Sequence, residues 1–296
     1  MQYIRICPCC GKEIEYKYKS TFDNANKINS LCRSCGTYKR ANNDRYGDLS
    51  FLLNDTNETF YWIGFLLADG SFRNNRLSFG LSIKDKDQVE KFAHYIHYKT
   101  TISTGFTNFN GKLFEQCSLS IQDSRIVPLI KEKFDIKNNK TKNPPKTILK
   151  WDRNLLLSLF AGFIDGDGSI IRKTNRKDAK LGIKVHSSWL HILQEFNSLI
   201  SDKDYCYISN EGYAILQIEE FPIIRKLKKE LLKLNIPLLN RKWDNIDINY
   251  INKLEKSRII RPLIKEDFKN GLKRKEICQK YNVSMALLTK VLKYEK

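Results

Sequence analysis

Two aspartates, Asp69 and Asp167, each close an apolar run and precede a glycine. The runs cover residues 62–70 and 160–168, and the two aspartates lie 98 residues apart. An Asp-Gly pair after a single apolar helix is usually a solvated helix end. If the two runs are helices that pack side by side, however, both carboxylates emerge at one end and repel each other unless a divalent cation lies between them. The pair therefore predicts a Mg²⁺ site, which can activate water and stabilise the leaving 3′ oxygen of a phosphodiester.

Small residues in both runs favour this side-by-side packing. Gly64, Ala68, Gly162 and Gly166 would let two helix backbones approach closely. A repeat of about a hundred residues is longer than the unit of a solenoid and has the length of a small domain. The repeat therefore predicts a duplicated domain in which each copy supplies one carboxylate.

The segments that follow the two runs repeat in the same order. Copy one continues as a hairpin, a helix, a second hairpin and a second helix, over residues 71–83, 85–98, 100–122 and 123–134. Copy two does the same, over residues 169–186, 188–200, 204–219 and 222–234. The hairpins alternate with period two, and the helices carry one apolar face. The sequence thus predicts an α+β fold made of two αββαββα copies with pseudo-two-fold symmetry.

The first forty residues contain two Cys-x2-Cys pairs, Cys7 with Cys10 and Cys32 with Cys35. Twenty-one residues separate the pairs, long enough for a short hairpin. Two such turns complete a tetrahedral shell for a structural Zn²⁺; a redox dithiol or a disulfide framework is the alternative. Cys9 replaces a ligand only by spoiling the two-residue spacing. The module either contacts DNA through its basic residues or is a folded cap with solvated charges.

The last forty residues predict three short helices, over residues 262–270, 273–281 and 284–293. Ser284 is a good N-cap for the last of them. The pattern is typical of a helix-turn-helix, whose last helix would present Ala286, Thr289, Lys290 and Lys293 to a major groove. A plain helical cap is the alternative.

The charge balance favours a polyanionic partner. The 296 residues include 52 Lys and Arg against 33 Asp and Glu, which gives a formal net charge of +19. Nucleic acid is preferred over an anionic membrane surface, because the basic residues are spread along the whole chain instead of lying on one amphipathic helix. No apolar run is long enough to cross a bilayer, and the N-terminus does not look like a signal peptide. We therefore expect an intracellular protein with reduced thiols.

The two motifs resemble those of the LAGLIDADG homing endonucleases, over roughly residues 59–250. The resemblance implies a single-chain, monomeric enzyme that makes double-strand breaks in DNA. It implies that Asp69 and Asp167 bind Mg²⁺, together with the carbonyls of Ala68 and Gly166. The earlier acidic position of the motif is Asp165 in copy two but Leu67 in copy one; this position is not a ligand in the family.

The family also has a basic residue late in each copy, near the metal-bound water. The match between Asn-Lys-Thr at 139–141 and Arg-Lys-Trp at 241–243 assigns this role to Lys140 and Lys242. Lys142 competes with Lys140 when the copies are aligned on their preceding Ile residues. The alternative for each lysine is an ordinary exposed charge.

Side chains on the hairpins would read the DNA sequence, and the C-terminal module would extend the footprint. The candidates for DNA contact are Arg73, Arg76, Arg172, Lys173, Lys184, Thr289 and Lys290. The expected divisions are a zinc-ribbon-like module over 1–45, the two copies over 59–150 and 151–255, and the helical module over 257–296. An inactive DNA-binding regulator or an intron RNA maturase on the same scaffold is the alternative function.

Overall fold

A computed structural model describes residues 3–36, 47–172, 179–250 and 253–293. Two helices form its centre, α2 (Asn57–Ala68) and α5 (Arg153–Asp167). Each begins at a side-chain cap, because Thr56 accepts from the Thr59 amide and Asp152 from the Asn154 amide. Both helices are buried around most of their circumference, as a helix between two packed domains must be.

The glycines of the motif helices lie at the crossing of α2 and α5. A Cβ atom on Gly64 would lie 1.8 Å from the carbonyl oxygen of Leu159. A Cβ atom on Gly162 would lie 1.8 Å from the carbonyl oxygen of Tyr61. In each case the opposing residue is three positions before the glycine of the other copy, so the two contacts are related by the predicted pseudo-two-fold symmetry.

Copy one continues as a four-stranded antiparallel sheet in the order β3-β4-β6-β5. Its strands are β3 (Ser71–Arg73), β4 (Arg76–Ser82), β5 (Ser103–Phe109) and β6 (Lys112–Gln122). Its helices are α3 (Lys86–Tyr95) and α4 (Ile126–Lys133). Buried residues of both helices share the core with one face of the sheet, as the ring contact between Phe79 and Phe92 at 5.2 Å illustrates. The opposite face, called here the open face of copy one, carries no helix of this copy.

Copy two repeats this arrangement with its strands in the order β7-β8-β10-β9. Its strands are β7 (Gly168–Arg172), β8 (Ala179–His186), β9 (Cys206–Ile208) and β10 (Tyr213–Ile218). Its helices are α6 (Leu190–Ile200) and α7 (Phe221–Leu231), followed by the single turn α8 (Asn240–Trp243). The same strand order in both sheets confirms the predicted duplicated α+β fold. The face of this sheet that lies away from α6 and α7 is called here the open face of copy two.

The late segment of each copy crosses to the other copy. The Trp189 indole of copy two donates to the Thr141 carbonyl at 3.0 Å, and the Gln88 amide of copy one donates to the Pro237 carbonyl at 2.7 Å. An ion pair joins the copies as well, because the Arg241 guanidinium binds both oxygens of Asp85 at 2.7 Å. In addition to these polar contacts, the two copies share one continuous hydrophobic core.

The N-terminal module contains β1 (Tyr3–Ile6), β2 (Glu13–Tyr16) and α1 (Lys19–Lys27). The β1–β2 hairpin encloses the first cysteine pair, and the second pair lies at a turn of helix over 33–36. The interval between the two pairs, which is long enough for a short hairpin, holds β2 and α1 instead. The core of the N-terminal module is small and consists of cysteines packed with Ile14 and Leu31.

The C-terminal module has three helices, α9 (Lys253–Lys269), α10 (Arg274–Tyr281) and α11 (Met285–Lys293). They enclose a core of their own, formed by Ile264, Ile277, Leu288 and Val291. The predicted start of the first helix at 262 is wrong, because α9 continues through Pro262. Proline removes the hydrogen bond to the carbonyl four residues earlier, and that residue, Arg258, is exposed to water. Consequently, α9 crosses the expected boundary near residue 256.

Candidate metal and DNA site

The two predicted ligand carboxylates lie at the adjacent C-terminal ends of the motif helices. Asp69 is the C-cap residue of α2, and Asp167 is the last residue of α5. A Cβ atom on Gly166 would lie 2.3 Å from the Cβ of Ala68 and 3.4 Å from Oδ2 of Asp69. The glycine before Asp167 therefore lets the end of one motif lie against the carboxylate of the other.

The surroundings of both carboxylates disfavour negative charge. Partial desolvation by the surrounding protein raises the pKa of Asp69 to about 6, and the neighbouring charge of Asp167 adds to this increase. Burial also raises the pKa of Asp167. Both side chains nevertheless reach solvent on one side, so an ion can approach them. A pair of like-charged, partly desolvated carboxylates open to water is the electrostatic setting that a divalent cation stabilises.

Each motif helix end binds one lysine ammonium. Lys140 donates to the carbonyls of Leu67 and Ala68, both at 2.6 Å. Its competitor Lys142 is exposed. Lys242 is 8% exposed. Its ammonium lies within 3.0 Å of four carbonyl oxygens, those of Ile164, Asp165, Gly166 and Gly168.

These contacts give the two lysines equivalent places in the two copies. Cations are favourable at the carbonyl end of a helix, and burial lowers the pKa of both ammonium groups. The carbonyls of Ala68 and Gly166, which are the predicted metal companions, accept from these lysines. A carbonyl oxygen has two lone pairs, so the hydrogen bond leaves one for an ion.

Asp165, the acidic position without a counterpart in copy one, is buried and satisfied by three donors. Its carboxylate accepts from the Tyr61 hydroxyl at 2.8 Å, the Leu239 amide at 2.8 Å and the Trp243 indole at 2.7 Å. Burial raises its pKa to about 6, against the opposing effect of these hydrogen bonds. Sequence reasoning missed the role of this network, although an acidic residue inside an otherwise apolar run was a signal for it.

The open face of copy one carries Arg73 and Arg76 as predicted. They pair across β3 and β4, and the Arg76 guanidinium donates to the Gln122 amide oxygen at 3.4 Å. Ser71, on the same face, follows Asp69 by two residues, so the face begins next to the carboxylate of its own copy.

Copy two presents a different set of side chains. Lys184 lies on its open face, 2.6 Å from Glu211 and with its ammonium 4.4 Å from the ring centre of Tyr213. The placement of Arg172 on this face is wrong, because Arg172 pairs with the buried Ala179 and so belongs to the helix-covered side. A shift of one residue exchanges the faces of a strand, and the adjacent Ile171 takes the open side. Lys173 lies outside the described residues.

The cysteine cluster has the dimensions of a metal site. The sulfur atoms of Cys7, Cys10, Cys32 and Cys35 all lie within 4.8 Å of one another. The sulfurs of Cys10 and Cys32 are 3.7 Å apart, near the separation of about 3.8 Å that tetrahedral Zn–S bonds of about 2.3 Å require. The Cys32 amide donates to the Cys7 sulfur and lowers the pKa of Cys7 to about 6. Cys9 is exposed and outside this cluster.

The last helix of the C-terminal module exposes the predicted contact residues. Thr289 and Lys290 lie on its solvent side, and Ser284 caps it by accepting from the Leu287 amide at 3.3 Å. The turn before it uses Asn282 in the left-handed conformation, with φ of 49°. Within the described ranges, no helix has the length and apolarity needed to cross a membrane.

No protein-family model and no curated protein matches the chain. Among solved structures, it is similar to the meganuclease I-SmaMI bound to uncleavable DNA, with 13% identity and a TM-score of 0.45 over 64% of this chain and 86% of that one. It is also similar to the LAGLIDADG homing endonuclease I-GzeII in complex with its DNA target, with 14% identity and a TM-score of 0.42 over 80% and 99% of the two chains. A third is the homing endonuclease I-WcaI bound to its DNA recognition sequence, with 15% identity and a TM-score of 0.47 over 74% and 96%. These similarities concern the fold, and I-GzeII carries the name of the family that the two motifs resemble.

Proposed function

We propose that this chain is a site-specific double-strand DNA endonuclease of the homing type. The observation that carries the proposal is the pair of carboxylates, one from each copy, at adjacent ends of two helices, each end bound by its own lysine. Two neighbouring, partly desolvated carboxylates would weaken the binding of a polyanion, because they repel phosphate. A protein that only binds DNA therefore has no use for them.

The donor set fits a divalent metal. Asp69 and Asp167 supply carboxylate oxygens, and Ala68 and Gly166 supply carbonyl oxygens, which are the ligand types that Mg²⁺ prefers. When bound, the ion supplies an activated water and charge stabilisation for the leaving 3′ oxygen. The ligands of the two copies are related by the pseudo-two-fold symmetry. Each copy would therefore meet one of the two DNA strands in the same geometry.

The lysines complete the site with fixed positive charge. Lys140 and Lys242 hold the carbonyl ends of their own helices, which keeps the neighbouring aspartates in place. Their ammonium groups also offset the negative charge that accumulates on a phosphate under attack. We assign them to positioning and electrostatic stabilisation of the reacting phosphate.

The remaining modules supply affinity. The open faces of the two copies flank the carboxylates and carry basic side chains, and the formal charge of +19 favours phosphate neutralisation along a duplex. The cysteine cluster would hold a structural Zn²⁺ that folds the N-terminal module. The last helix, with Thr289 and Lys290, would enter a major groove and lengthen the footprint. We propose the four functional divisions expected from the sequence, with the helical module starting earlier, at α9.

A cleavage assay tests this proposal. The purified full chain with Mg²⁺ is incubated with a plasmid library that carries the genomic flanks of its own gene. Discrete linear product from the wild type, and none from Asp69→Asn with Asp167→Asn, is the expected result. Asp202→Asn, an exposed loop carboxylate, is the matched control and should cleave normally.

Three other outcomes have a defined meaning. Salt-sensitive binding to one DNA site without any cleavage would replace the nuclease by a regulator on the same scaffold. Preferential binding to structured intron RNA would indicate a maturase. Cleavage that survives the double substitution would reject the metal site described above.

A further inference from the structure

The open faces of the two copies differ in chemistry although their strands are arranged alike. The open face of copy one is made of small hydroxyl, amide and guanidinium side chains. Register and alternation assign to it Ser71, Arg73, Arg76, Ser78, Ser82, Ser103, Thr107, Gln116, Ser118, Ser120 and Gln122, with Phe114 at its far end. Nearly every member can donate or accept a hydrogen bond.

The open face of copy two has apolar or aromatic side chains at four places where copy one has polar ones. Polar side chains remain on the rest of this face, at Ser169, Lys180, Lys184, His186 and Gln217. Ile171 is 51% exposed, Tyr207 47% and Tyr213 41%. Ile215 pairs with both Lys184 and Tyr207, so these side chains share the face. Because side chains alternate along β7, Arg172 lies on the helix-covered side and Ile171 lies on the open face.

An exposed apolar face needs a partner, and its surroundings indicate which one. Lys180 pairs with Ile171, and Lys184, which is also ion-paired with Glu211, lies over the ring of Tyr213, so cations border the apolar side chains. The face begins at Ser169, two residues after Asp167, so it continues directly from the proposed cleavage site. Apolar groups bordered by cations fit a DNA major groove, where apolar contact recognises the 5-methyl group of thymine.

We propose that copy two reads its half-site through thymine methyl groups, while copy one reads its half-site through hydrogen bonds to base edges. The proposal rests on the proposed function, because it names the bases that the same DNA cradle selects. Ile171 and Ile215 are the central contacts, with Tyr207 and Tyr213 at the outer strands. Copy two therefore selects thymine at the positions that these side chains reach.

Replacing thymine by uracil tests this directly, since the two bases differ only by the methyl group. A target selected from the library is resynthesised with uracil at each thymine in turn, and the Kd of the full chain is measured in Ca²⁺ without cleavage. Burial of one methyl group is worth about 0.8 kcal/mol, so each contacted thymine should cost about fourfold in Kd. We expect this loss in one half-site only.

Variants assign the sensitive half-site to copy two. Ile171→Ser should abolish the uracil effect at the thymine that Ile171 contacts and leave the other half-site unchanged. Ile208→Ser is the matched control: Ile208 is 45% exposed on the same sheet but pairs with the buried Ala214, so it belongs to the opposite side. Arg76→Ala, on the open face of copy one, should relax base preference in the half-site that uracil does not affect.

The outcomes separate this inference from the proposed function. Specific binding with equal uracil sensitivity in both halves, or in neither, overturns the thymine assignment and leaves the endonuclease standing. An Ile171→Ser protein that keeps the full uracil effect at every thymine of that half-site also overturns it. Absence of any specific DNA binding by the wild type overturns both.

Discussion

The indole of Trp243 donates a hydrogen bond of 2.7 Å to the buried carboxylate of Asp165. This bond joins the end of the second motif helix to the turn that carries Lys242. Copy one has Leu67 and Thr141 at the corresponding positions, so its own motif end lacks this side-chain link. The two halves of the site are therefore symmetric in their lysine contacts and asymmetric in what supports them.

Removing the Asp165 carboxylate should destabilise the protein strongly. Asp165→Leu, which copies the residue of copy one, leaves three buried donors without their acceptor and should lower the free energy of unfolding by about 3–5 kcal/mol. Trp243→Phe removes a single donor and should cost about 1–2 kcal/mol. Urea unfolding of the full chain measures both changes.

A double-mutant cycle shows whether the two residues act together. The combined Asp165→Leu and Trp243→Phe protein should be more stable than the sum of the single losses predicts. Asp202→Asn should change the free energy of unfolding by less than about 0.5 kcal/mol. Additive losses would mean that the indole and the carboxylate are energetically independent, against this interpretation.

The desolvation of Asp69, with added repulsion from Asp167, should appear as a pH dependence of stability in the absence of metal. The pKa of Asp69 is raised to about 6 in the folded chain, above the usual value of about 4 for an unfolded aspartate. The folded state thus holds this proton more tightly, and the resulting stability is present below pH 4 and lost as the pH rises through 6. Asp69→Asn should therefore be more stable than the wild type at pH 7, by about 1 kcal/mol after solvent screening.

The same pair of proteins tests the metal. Adding Mg²⁺ at pH 7 should raise the Tm of the wild type, because an ion that binds only the folded state stabilises it. Asp69→Asn should show little or no increase. Equal stabilisation of both proteins, or a variant that is less stable without metal, would contradict the assigned ligand.

Substituting Lys140 or Lys242 should lower the stability only modestly but reduce the cleavage rate strongly. Lys242→Met removes an ammonium that lies near four carbonyls and should cost about 2 kcal/mol, whereas Lys140→Met removes one that bonds two and should cost about 1 kcal/mol. Either change should reduce the cleavage rate about a hundredfold, because a fixed positive charge near the reacting phosphate is lost. Single-turnover cleavage and Kd are measured on the same DNA, with Lys142→Met as the exposed control. Unchanged cleavage by Lys140→Met would remove that lysine from the site.

The zinc assignment predicts one metal ion per chain held by four thiolates. Chelation should release it and unfold residues 3–36 while the shared core of the two copies stays folded, because the N-terminal module has only a small core of its own. Cys10→Ser should lower zinc occupancy, and Cys9→Ser should not. Hydrogen exchange locates the loss of structure, and retention of full protection without metal would contradict a structural role.

The fold could be predicted because its signals are local or repeated. Each motif places a glycine, a small residue and an aspartate at fixed spacing, and the hairpins after it alternate clearly. The Asp165 network could not be predicted in the same way. Its partners Tyr61 and Trp243 lie 104 and 78 residues away in the chain, so the network exists only once the two copies are joined.

Two errors have equally physical causes. Ile170 and Ile171 are adjacent apolar residues, so alternation alone does not say which of them faces the core, and the choice decided the side of Arg172. Pro262 has the residue type that usually ends a helix, yet it lies within α9, where the residue four positions earlier, Arg258, is exposed to water. Both features depend on surroundings that the local sequence does not contain.

The glycine contacts between the motif helices should be the least tolerant positions in the chain. Gly64→Ala and Gly162→Ala each push a Cβ to within 1.8 Å of a backbone carbonyl of the other helix. Backbone atoms cannot move aside as a side chain can, so each substitution should cost at least about 3 kcal/mol. Gly105→Ala is the control, because its added Cβ meets nothing within 4 Å.

The pseudo-two-fold symmetry makes this prediction sharper. Because the Gly64 and Gly162 contacts are equivalent, the two losses of stability should agree within about 1 kcal/mol, and urea unfolding measures both. Gly166→Ala should add a different effect, since its Cβ would overlap Ala68 beside the carboxylate of Asp69. We expect it to impair Mg²⁺ binding as well as stability. If either crossing glycine accepts alanine at no cost, the helices do not pack at the distance described, and the two carboxylates would not form a joint site.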